Sequence, residues 1–316
     1  MRYEKQVIFE RIGQKGQDFL SKAHVCIVGL GALGSYTSNF LVRAGINKLT
    51  LIDRDVIEES NLQRQNVYGE QDIGRLKTEV LTEKLLQINS KIQIKSYFAD
   101  LTHKNSSLLK SDLILDCTDN METRFLINDF ALKNNIPWIY SAVLGSEGMV
   151  MNIIPKKTPC FRCIFQPPTS QLGTCDTEGI INTIPAAISA LQVTETIKII
   201  TKQAYSKELI HFEIWKGKLS KTKTKKLQKC PACSGNYEFL NGEKATDAIK
   251  LCGVGTYQIT GPKLNLTNLS KNLPNARKMD SYVNYNNNIF FEDGRVIIKA
   301  KSLEEAKSIY SKYIGN

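Results

Sequence analysis

Cys160 and Cys163 stand two residues apart in Pro159-Cys160-Phe161-Arg162-Cys163, and Cys230-Pro231-Ala232-Cys233 repeats the spacing. A gap of two residues lets both sulfurs of a pair face one ion. Two such pairs supply the four thiolates of a tetrahedral Zn²⁺ shell. The plainer reading is two unrelated pairs of buried thiols, but paired spacing is far more specific than cysteine count and favours metal. A four-sulfur shell leaves no open coordination position, so it would join distant segments rather than do chemistry.

A second group of residues has the types needed to handle phosphate. Gly29-x-Gly31-x-x-Gly34, with Ala32 inside it, lies between an apolar run and a helical stretch. Glycines there let the backbone approach a phosphate, and a helix N-terminus favours negative charge. Asp53 ends the next apolar run, where a carboxylate would hold ribose hydroxyls. Alone this is a general dinucleotide fingerprint, and an NAD-dependent oxidoreductase stays open at this point. Three polar strings shift the balance: Asn61-Leu62-Gln63-Arg64-Gln65, Gly74-Arg75-Leu76-Lys77 and Thr118-Asp119-Asn120. Hydride transfer has no need of Arg64, Lys77 and Asp119 converging on phosphates. Nucleotidyl transfer does, because cations neutralise the phosphate charge and a carboxylate holds Mg²⁺. Singly, Arg64 and Lys77 read as surface residues and Asp119 as a helix N-cap; together they read as a site.

The elements that must position these residues alternate. Strands are expected at His24–Val28, Lys48–Asp53, Ile92–Tyr97, Asp112–Cys117 and Ile136–Ser141. Helices are expected from the glycine loop to Ala44, over 77–88 and over 122–134, with an amphipathic helical lead-in over 4–20. That alternation predicts a Rossmann-like α/β domain, a mostly parallel sheet covered by helices on both faces. After Ala142 the pattern changes to a strand at Val150–Ile154, a loop over 166–184 rich in Pro, Thr, Gly and Gln, and a helix opened by Pro185 at its first position. The lysines between Lys216 and Lys229 read first as a solvated edge strand and second as a docking surface for an acidic partner. From about Asn241 short strands at 256–260, 281–285, 289–292 and 296–299, with a helix over 303–313, predict a small α+β domain. The expected division is therefore 1–240 and 241–316.

The chain has 316 residues, enough for one large and one small domain. Its 42 basic and 31 acidic residues give a net charge of +11, which suits an anionic partner without naming one. No apolar run approaches the length of a membrane span, and charges stand where a signal peptide would need apolar residues. The expected location is the cytoplasm, where eight cysteines point to metal ligands and free thiols. Cys26 and Cys117 lie in apolar runs and read as core residues, and Cys252 has no evident partner.

Over roughly residues 2–240 the chain resembles the MoeB/ThiF family, bacterial relatives of the ubiquitin-activating E1 enzymes. The resemblance rests on Arg2-Tyr3-x-x-Gln6, the glycine loop, Asp53, Ser60-Asn61-Leu62-Gln63-Arg64-Gln65, Gly74-Arg75-x-Lys77, Asp116-Cys117-Thr118-Asp119-Asn120, both cysteine pairs and Thr174-Cys175. The C-terminal part resembles an extension of some longer members and not a rhodanese domain. The resemblance implies that Mg-ATP adenylates the C-terminal Gly-Gly carboxylate of a ubiquitin-like sulfur carrier (MoaD- or ThiS-like), releasing pyrophosphate. It implies Gly31 and Ala32 under the nucleotide, Asp53 on the ribose, and Asn61, Arg64 and Lys77 on ATP. It further implies Mg²⁺ at Asp119 with Asn120 beside it, a homodimer, and a cysteine desulfurase as a further partner. The family commonly has Arg where this chain has Lys5, a residue that reaches the phosphates of the neighbouring subunit. Lysine keeps that charge but loses the bidentate fork. Cys233 is followed by Ser234 before Gly235, a departure that leaves the ligand set intact. Cys175 could form a covalent sulfur link to the carrier or be a passive loop thiol. The molybdopterin-type carrier stands slightly ahead of the thiazole type, on family likeness alone. A tRNA base carboxylate or small molecule as acceptor, and a catalytically silent scaffold, remain the alternatives.

Overall fold

The computed structural model describes residues 2–167, 178–244, 248–250, 256–279 and 282–314. The chain divides into two compact units, Met1–Ala245 and Thr246–Asn316.

The first unit is built on an eight-stranded sheet. Its strands are β1 (His24–Val28), β2 (Lys48–Asp53), β3 (Gln93–Phe98), β4 (Leu113–Asp116), β5 (Trp138–Leu144), β6 (Glu147–Ile153), β7 (Leu209–Glu213) and β8 (Lys218–Thr222), in the order β3-β2-β1-β4-β5-β6-β7-β8. The first five pair in parallel. β5 through β8 pair antiparallel, as successive hairpins and a return strand. The chain therefore winds outward from β1 in one direction, then restarts at β4 in the other. A crevice opens outside the strand C-termini at such a reversal, and ligands bind there.

Alternation along the central strands makes a two-faced core. Val25 and Ile27 point to one face, where they join Leu33, Leu41 and Val42 of α3 (Ala32–Ala44), Val80, Leu81 and Leu85 of α4 (Lys77–Ile88), and Ile184 and Ile188 of a long helix over Thr183–Ile200. Cys26 and Val28 point to the other face, with Phe125 and Phe130 of α5 (Met121–Asn134), Trp138, and Phe161. Cys26 and Cys117 are buried thiols, as expected of core residues.

Three local features differ from the sequence expectation. The lead-in is two helices, α1 (Glu4–Ile8) and α2 (Gly13–Lys22), because Gly13 has φ +58°, a conformation that a continuous helix does not contain. After the short α6 (Phe161–Ile164), the helix α7 (Thr183–Ile200) starts two residues before Pro185. Proline at the third position lacks an N–H that would be unpaired within the helix anyway, so it is tolerated there. Asn120, not Asp119, caps α5: its side chain accepts from Glu122 N at 2.8 Å and Thr123 N at 3.4 Å.

The second unit is a six-stranded antiparallel sheet in the order β11-β12-β13-β14-β10-β9. Its strands are β9 (Ala248–Lys250), β10 (Thr256–Thr260), β11 (Arg277–Lys278), β12 (Tyr282–Tyr285), β13 (Asn288–Phe291) and β14 (Arg295–Lys299). Val283, Phe290, Val296 and Ile298 form its core with Leu266 of α8 (Leu266–Asn272) and Ala306 of α9 (Leu303–Ile314). β9, β11 and α8 add to the expected elements; segments of two or three strand residues are too short to carry a readable period. Among the described residues no helix is long and apolar enough to cross a membrane.

Candidate nucleotide site and thiolate cluster

The glycine loop follows β1 directly at the reversal. Gly29 has φ +87°, and a Cβ there would lie 2.6 Å from the Cys117 carbonyl oxygen. A Cβ on Gly34 would overlap the Gly29 carbonyl oxygen. These two glycines are required by how tightly β1, α3 and the end of β4 pack. Gly31 differs: a Cβ there would meet nothing closer than Gln65 Nε2 at 3.6 Å. Its open face is free for a ligand to approach. The loop is held from both sides, since Leu30 N donates to Asp53 Oδ2 at 2.6 Å and Tyr68 Oη donates to Leu30 O at 2.9 Å.

Asp53 ends β2 and is 8% exposed. Its other oxygen accepts from Asp55 N at 2.7 Å. Each carboxylate oxygen has a second lone pair, so these bonds leave acceptor capacity. Burial raises the Asp53 pKa, and Lys77 opposes that rise. Lys77, the first residue of α4, is 6% exposed and its Nζ pairs with Asp55 Oδ2 at 3.1 Å. Burial alone would lower its pKa, but Asp55, Asp53 and Asp119 outweigh burial and hold it above the usual lysine value. A permanently charged ammonium thus sits beneath the mouth of the crevice. Arg54 is fixed beside it by Asp100 at 3.0 Å.

Asn61 is buried at the end of a short 3₁₀ turn over Glu59–Asn61, and its Oδ1 accepts from Glu58 N at 3.3 Å. Ser60 is exposed, and its carbonyl accepts from Arg64 Nη1 at 2.8 Å. Leu62 packs against the core and Gln63 is exposed. Gln65 is 4% exposed, and its Oε1 has no hydrogen-bond partner. A buried unpaired acceptor costs about 1–3 kcal/mol. The other end of the same amide, Nε2, is the end that faces Gly31.

Across the crevice, Asp119 follows β4 and is exposed. The turn before it is rigid. Asp116 Oδ1 accepts from Thr118 N at 2.9 Å and Thr118 Oγ1 at 2.7 Å, while Asp116 Oδ2 pairs with Arg124 Nε at 3.1 Å. Arg124 also donates to the Thr118 carbonyl and lies over the Tyr140 ring at 5.1 Å. Gln192 of α7 locks the strand end from the far side, donating to Asp116 O at 3.0 Å and accepting from Thr37 at 2.9 Å. Reading the sequence assigned no role to Asp55, Gln65, Arg54 or Arg124. Asp55 and Arg54 could have been found as charges directly after a strand end, and Gln65 through its motif. The Arg124–Asp116 and Gln192 contacts carry no local signal.

The four cysteines come together. Cys160 and Cys163 sulfurs are 3.7 Å apart, Cys160 and Cys230 3.5 Å, Cys163 and Cys233 3.6 Å, and Cys160 and Cys233 3.5 Å. Metal–sulfur bonds of about 2.3 Å in a tetrahedron give edges of roughly 3.8 Å, which these four separations approach, and all four sulfurs lie within 4.8 Å of one another. An all-thiolate set suits a four-coordinate soft metal. Both pairs follow strands, β6 and β8, that run away from the crevice, which puts the cluster at the opposite end of the sheet. Phe161 stacks on Phe165 with centroids 4.6 Å apart, Phe125 lies 5.0 Å from Phe161 and 4.8 Å from Phe239, and Arg162 pairs with Glu238 at 3.3 Å.

Helix α5 grips both cysteine segments. Asn128 Oδ1 accepts from Phe161 N at 2.9 Å, and Asp129 Oδ2 accepts from Phe239 N at 3.0 Å. Asp129 is 3% exposed, and burial pushes its pKa up to about 6. The folded state therefore binds this proton more tightly than the unfolded state. The stabilisation is fully present below about pH 4 and is lost as pH rises through 6. In urea titrations, wild type should lose about 1.4 kcal/mol relative to Asp129→Asn between pH 5 and pH 7.5. A pH-independent difference would contradict the assignment.

Lys5 is exposed on α1, next to Ile8 and Phe9, which are 68% and 54% exposed. Cys175 lies outside the described residues. None of the expected site residues falls in the second unit.

A doubly wound sheet with a cation and carboxylates at its reversal defines a nucleotide-handling enzyme core, with a four-thiolate cluster of metal-site dimensions at its far end. The model of the ThiF family matches residues 3–232, and the chain belongs to that family. It is 35% identical over 333 residues to the sulfur carrier protein ThiS adenylyltransferase of Bacillus subtilis, covering 99% of both chains. It is 33% identical over 266 residues to the adenylyltransferase and sulfurtransferase MOCS3 of Xenopus laevis, covering 79% of this chain and 59% of that one. The fold is shared with the crystal structure of Escherichia coli MccB with ATP: the TM-score is 0.66 at 22% identity, over 74% of this chain and 75% of that one.

Proposed function

We propose that this protein is an adenylyltransferase that uses Mg-ATP to activate the C-terminal carboxylate of a ubiquitin-like sulfur carrier ending in Gly-Gly. The observation that carries the reading is the meeting of Gly31's open face, the loop-bound Asp53 carboxylate and the buried Lys77 ammonium at the reversal of a nucleotide-binding sheet. The thiazole-type carrier is now preferred over the molybdopterin type. The ThiS-directed relative matches through the C-terminal unit, whereas MOCS3 matches over 79% of the chain.

The phosphates would lie over the glycine loop and the adjoining helix N-terminus. Asp53 would accept from the ribose hydroxyls, with Gly29, Gly31, Ala32 and Gly34 beneath the nucleotide. Ser60, Asn61, Leu62 and Gln63 would line it, and Arg64 and Lys77 would bear on the phosphates. Asp119 would hold Mg²⁺, with Asn120 beside it; bound there, the ion would supply further neutralisation of phosphate charge. A carrier carboxylate oxygen attacks the α-phosphorus. A new oxygen–phosphorus bond forms, the α–β bridging bond breaks, and pyrophosphate leaves. The carboxylate is already ionised, so no general base is needed, and catalysis is positioning and charge neutralisation. Asp55 keeps Lys77 protonated and aimed.

The thiolate cluster would hold structural Zn²⁺. Exposed Ile8 and Phe9 beside Lys5 fit a surface covered by a second subunit, with Lys5 reaching across as a point charge. Cys175 would then be a site for a covalent sulfur link, with a cysteine desulfurase as the sulfur source. The test is ATP–pyrophosphate exchange with each carrier type: exchange should require a carrier and run faster with the thiazole type. The reverse order would return the pathway to molybdopterin.

A further inference from the structure

The turn between β7 and β8, residues 214–217, presents Trp215 at 78% exposure. Tryptophan is a largely buried residue type, so an indole held out in water calls for a partner. The exposure does not come from a loose loop. Glu213, 5% exposed, accepts from Trp215 N at 3.0 Å, Lys216 N at 3.1 Å and Ser146 Oγ at 2.8 Å. Ile214 N donates to Ser146 O at 2.9 Å, and Gly217 N to Ile214 O at 3.2 Å. The indole therefore stands on a rigid hairpin. Lys216, paired with Glu213 at 3.7 Å but 75% exposed, and Lys218 flank it with positive charge.

The turn belongs to the same end of the sheet as the candidate nucleotide site. β7 runs parallel to β5 and β4, so all three end at the crevice edge. Contacts along that edge are continuous: Ser146 bonds Glu213, Gly145 bridges to Ile180, and the Ile180 carbonyl accepts from Gln63 Nε2 at 3.3 Å. From β4 to β7 is three strand spacings, about 14 Å, and an extended tail of four or five residues covers that at about 3.3 Å each.

We propose that Trp215, with Lys216 and Lys218, is the docking anchor for the globular body of the carrier, whose tail then runs along the strand ends to Asp119. The proposal rests on the function proposed above. The complementary surface is an apolar patch rimmed by Asp or Glu. Charge selects this occupant over a second copy of the chain, because a two-fold contact through the turn would set its lysines against themselves, whereas an acidic carrier is attracted. A rigid aromatic anchor with charged neighbours is the residue pattern of an interface hot spot.

The experiment is carrier titration in pyrophosphate exchange, comparing wild type, Trp215→Ala and Lys216→Glu/Lys218→Glu. Both variants should raise the carrier KM at least about tenfold while leaving kcat and the ATP KM unchanged. A synthetic peptide of the carrier's last residues should serve all three proteins equally, which shows that the variants retain a working site. An unchanged carrier KM in Trp215→Ala would overturn the anchor while leaving the carrier reading intact. Conversion of a wild-type dimer to monomer by Trp215→Ala would overturn it in favour of a self-interface. Absence of carrier-dependent exchange in wild type would remove the carrier reading and the anchor together.

Discussion

Asp119→Ala should lower carrier-dependent pyrophosphate exchange by about 10²–10³-fold while leaving the fold intact. The two halves of that expectation have separate grounds. Asp119 is exposed at the strand end facing Lys77, where an adenylylation site would need a carboxylate for Mg²⁺. It does not hold the turn together. Asn120 caps α5, and Asp116, Thr118 and Arg124 fix the backbone on either side. An exposed residue with no structural bond changes stability by about 0.5 kcal/mol or less. Unfolding of the variant by urea should therefore match wild type. Full activity in a well-folded Asp119→Ala protein would remove Asp119 from the phosphate site.

Removing the metal should have the opposite signature, a large loss of stability with no local effect on the crevice. The purified chain should carry one Zn²⁺, and Cys230→Ser/Cys233→Ser should cost at least about 4 kcal/mol of stability or prevent folding of the first unit. The four sulfurs lie 3.5–3.7 Å from their neighbours, and without an ion two half-buried segments lose their tie. The aromatic cluster around Phe161, Phe125 and Phe239 would then be exposed at one end of the sheet. Metal analysis and chemical denaturation check both parts. A metal-free wild type of equal stability would contradict the staple.

The parts of this molecule that were legible beforehand have short-range signals. Two Cys-x-x-Cys spacings announced a cluster that the fold assembles from segments about 70 residues apart. The glycine loop between an apolar run and a helix announced the crevice, and the strand–helix alternation announced the winding of β1 to β5. The illegible parts are long-range pairings. Gln192 reaches Thr37 across 155 residues, and nothing near either residue marks the contact. Asp129 looked like any polar residue on a helix, yet it is buried because its partners are backbone N–H groups of a segment 110 residues away. The lysine run read as a solvated edge, and β8 is indeed the edge strand. What the run could not reveal is that Glu213 builds a fixed turn at its start with an indole on top. The plainer reading of Asp119 as a helix N-cap fails because Asn120 takes that part; either side chain suits an N-cap, and only backbone geometry decides between them.

Carboxylate adenylation of a Gly-Gly tail is the claim from which the other roles follow. Its most direct measurement is ATP–pyrophosphate exchange with the thiazole-type carrier, intact and lacking its final glycine. Rapid exchange with the intact carrier, and none with the shortened carrier or without any carrier, is the predicted result. Exchange that ignores the carrier, or its absence with every Gly-Gly carrier, would contradict the account.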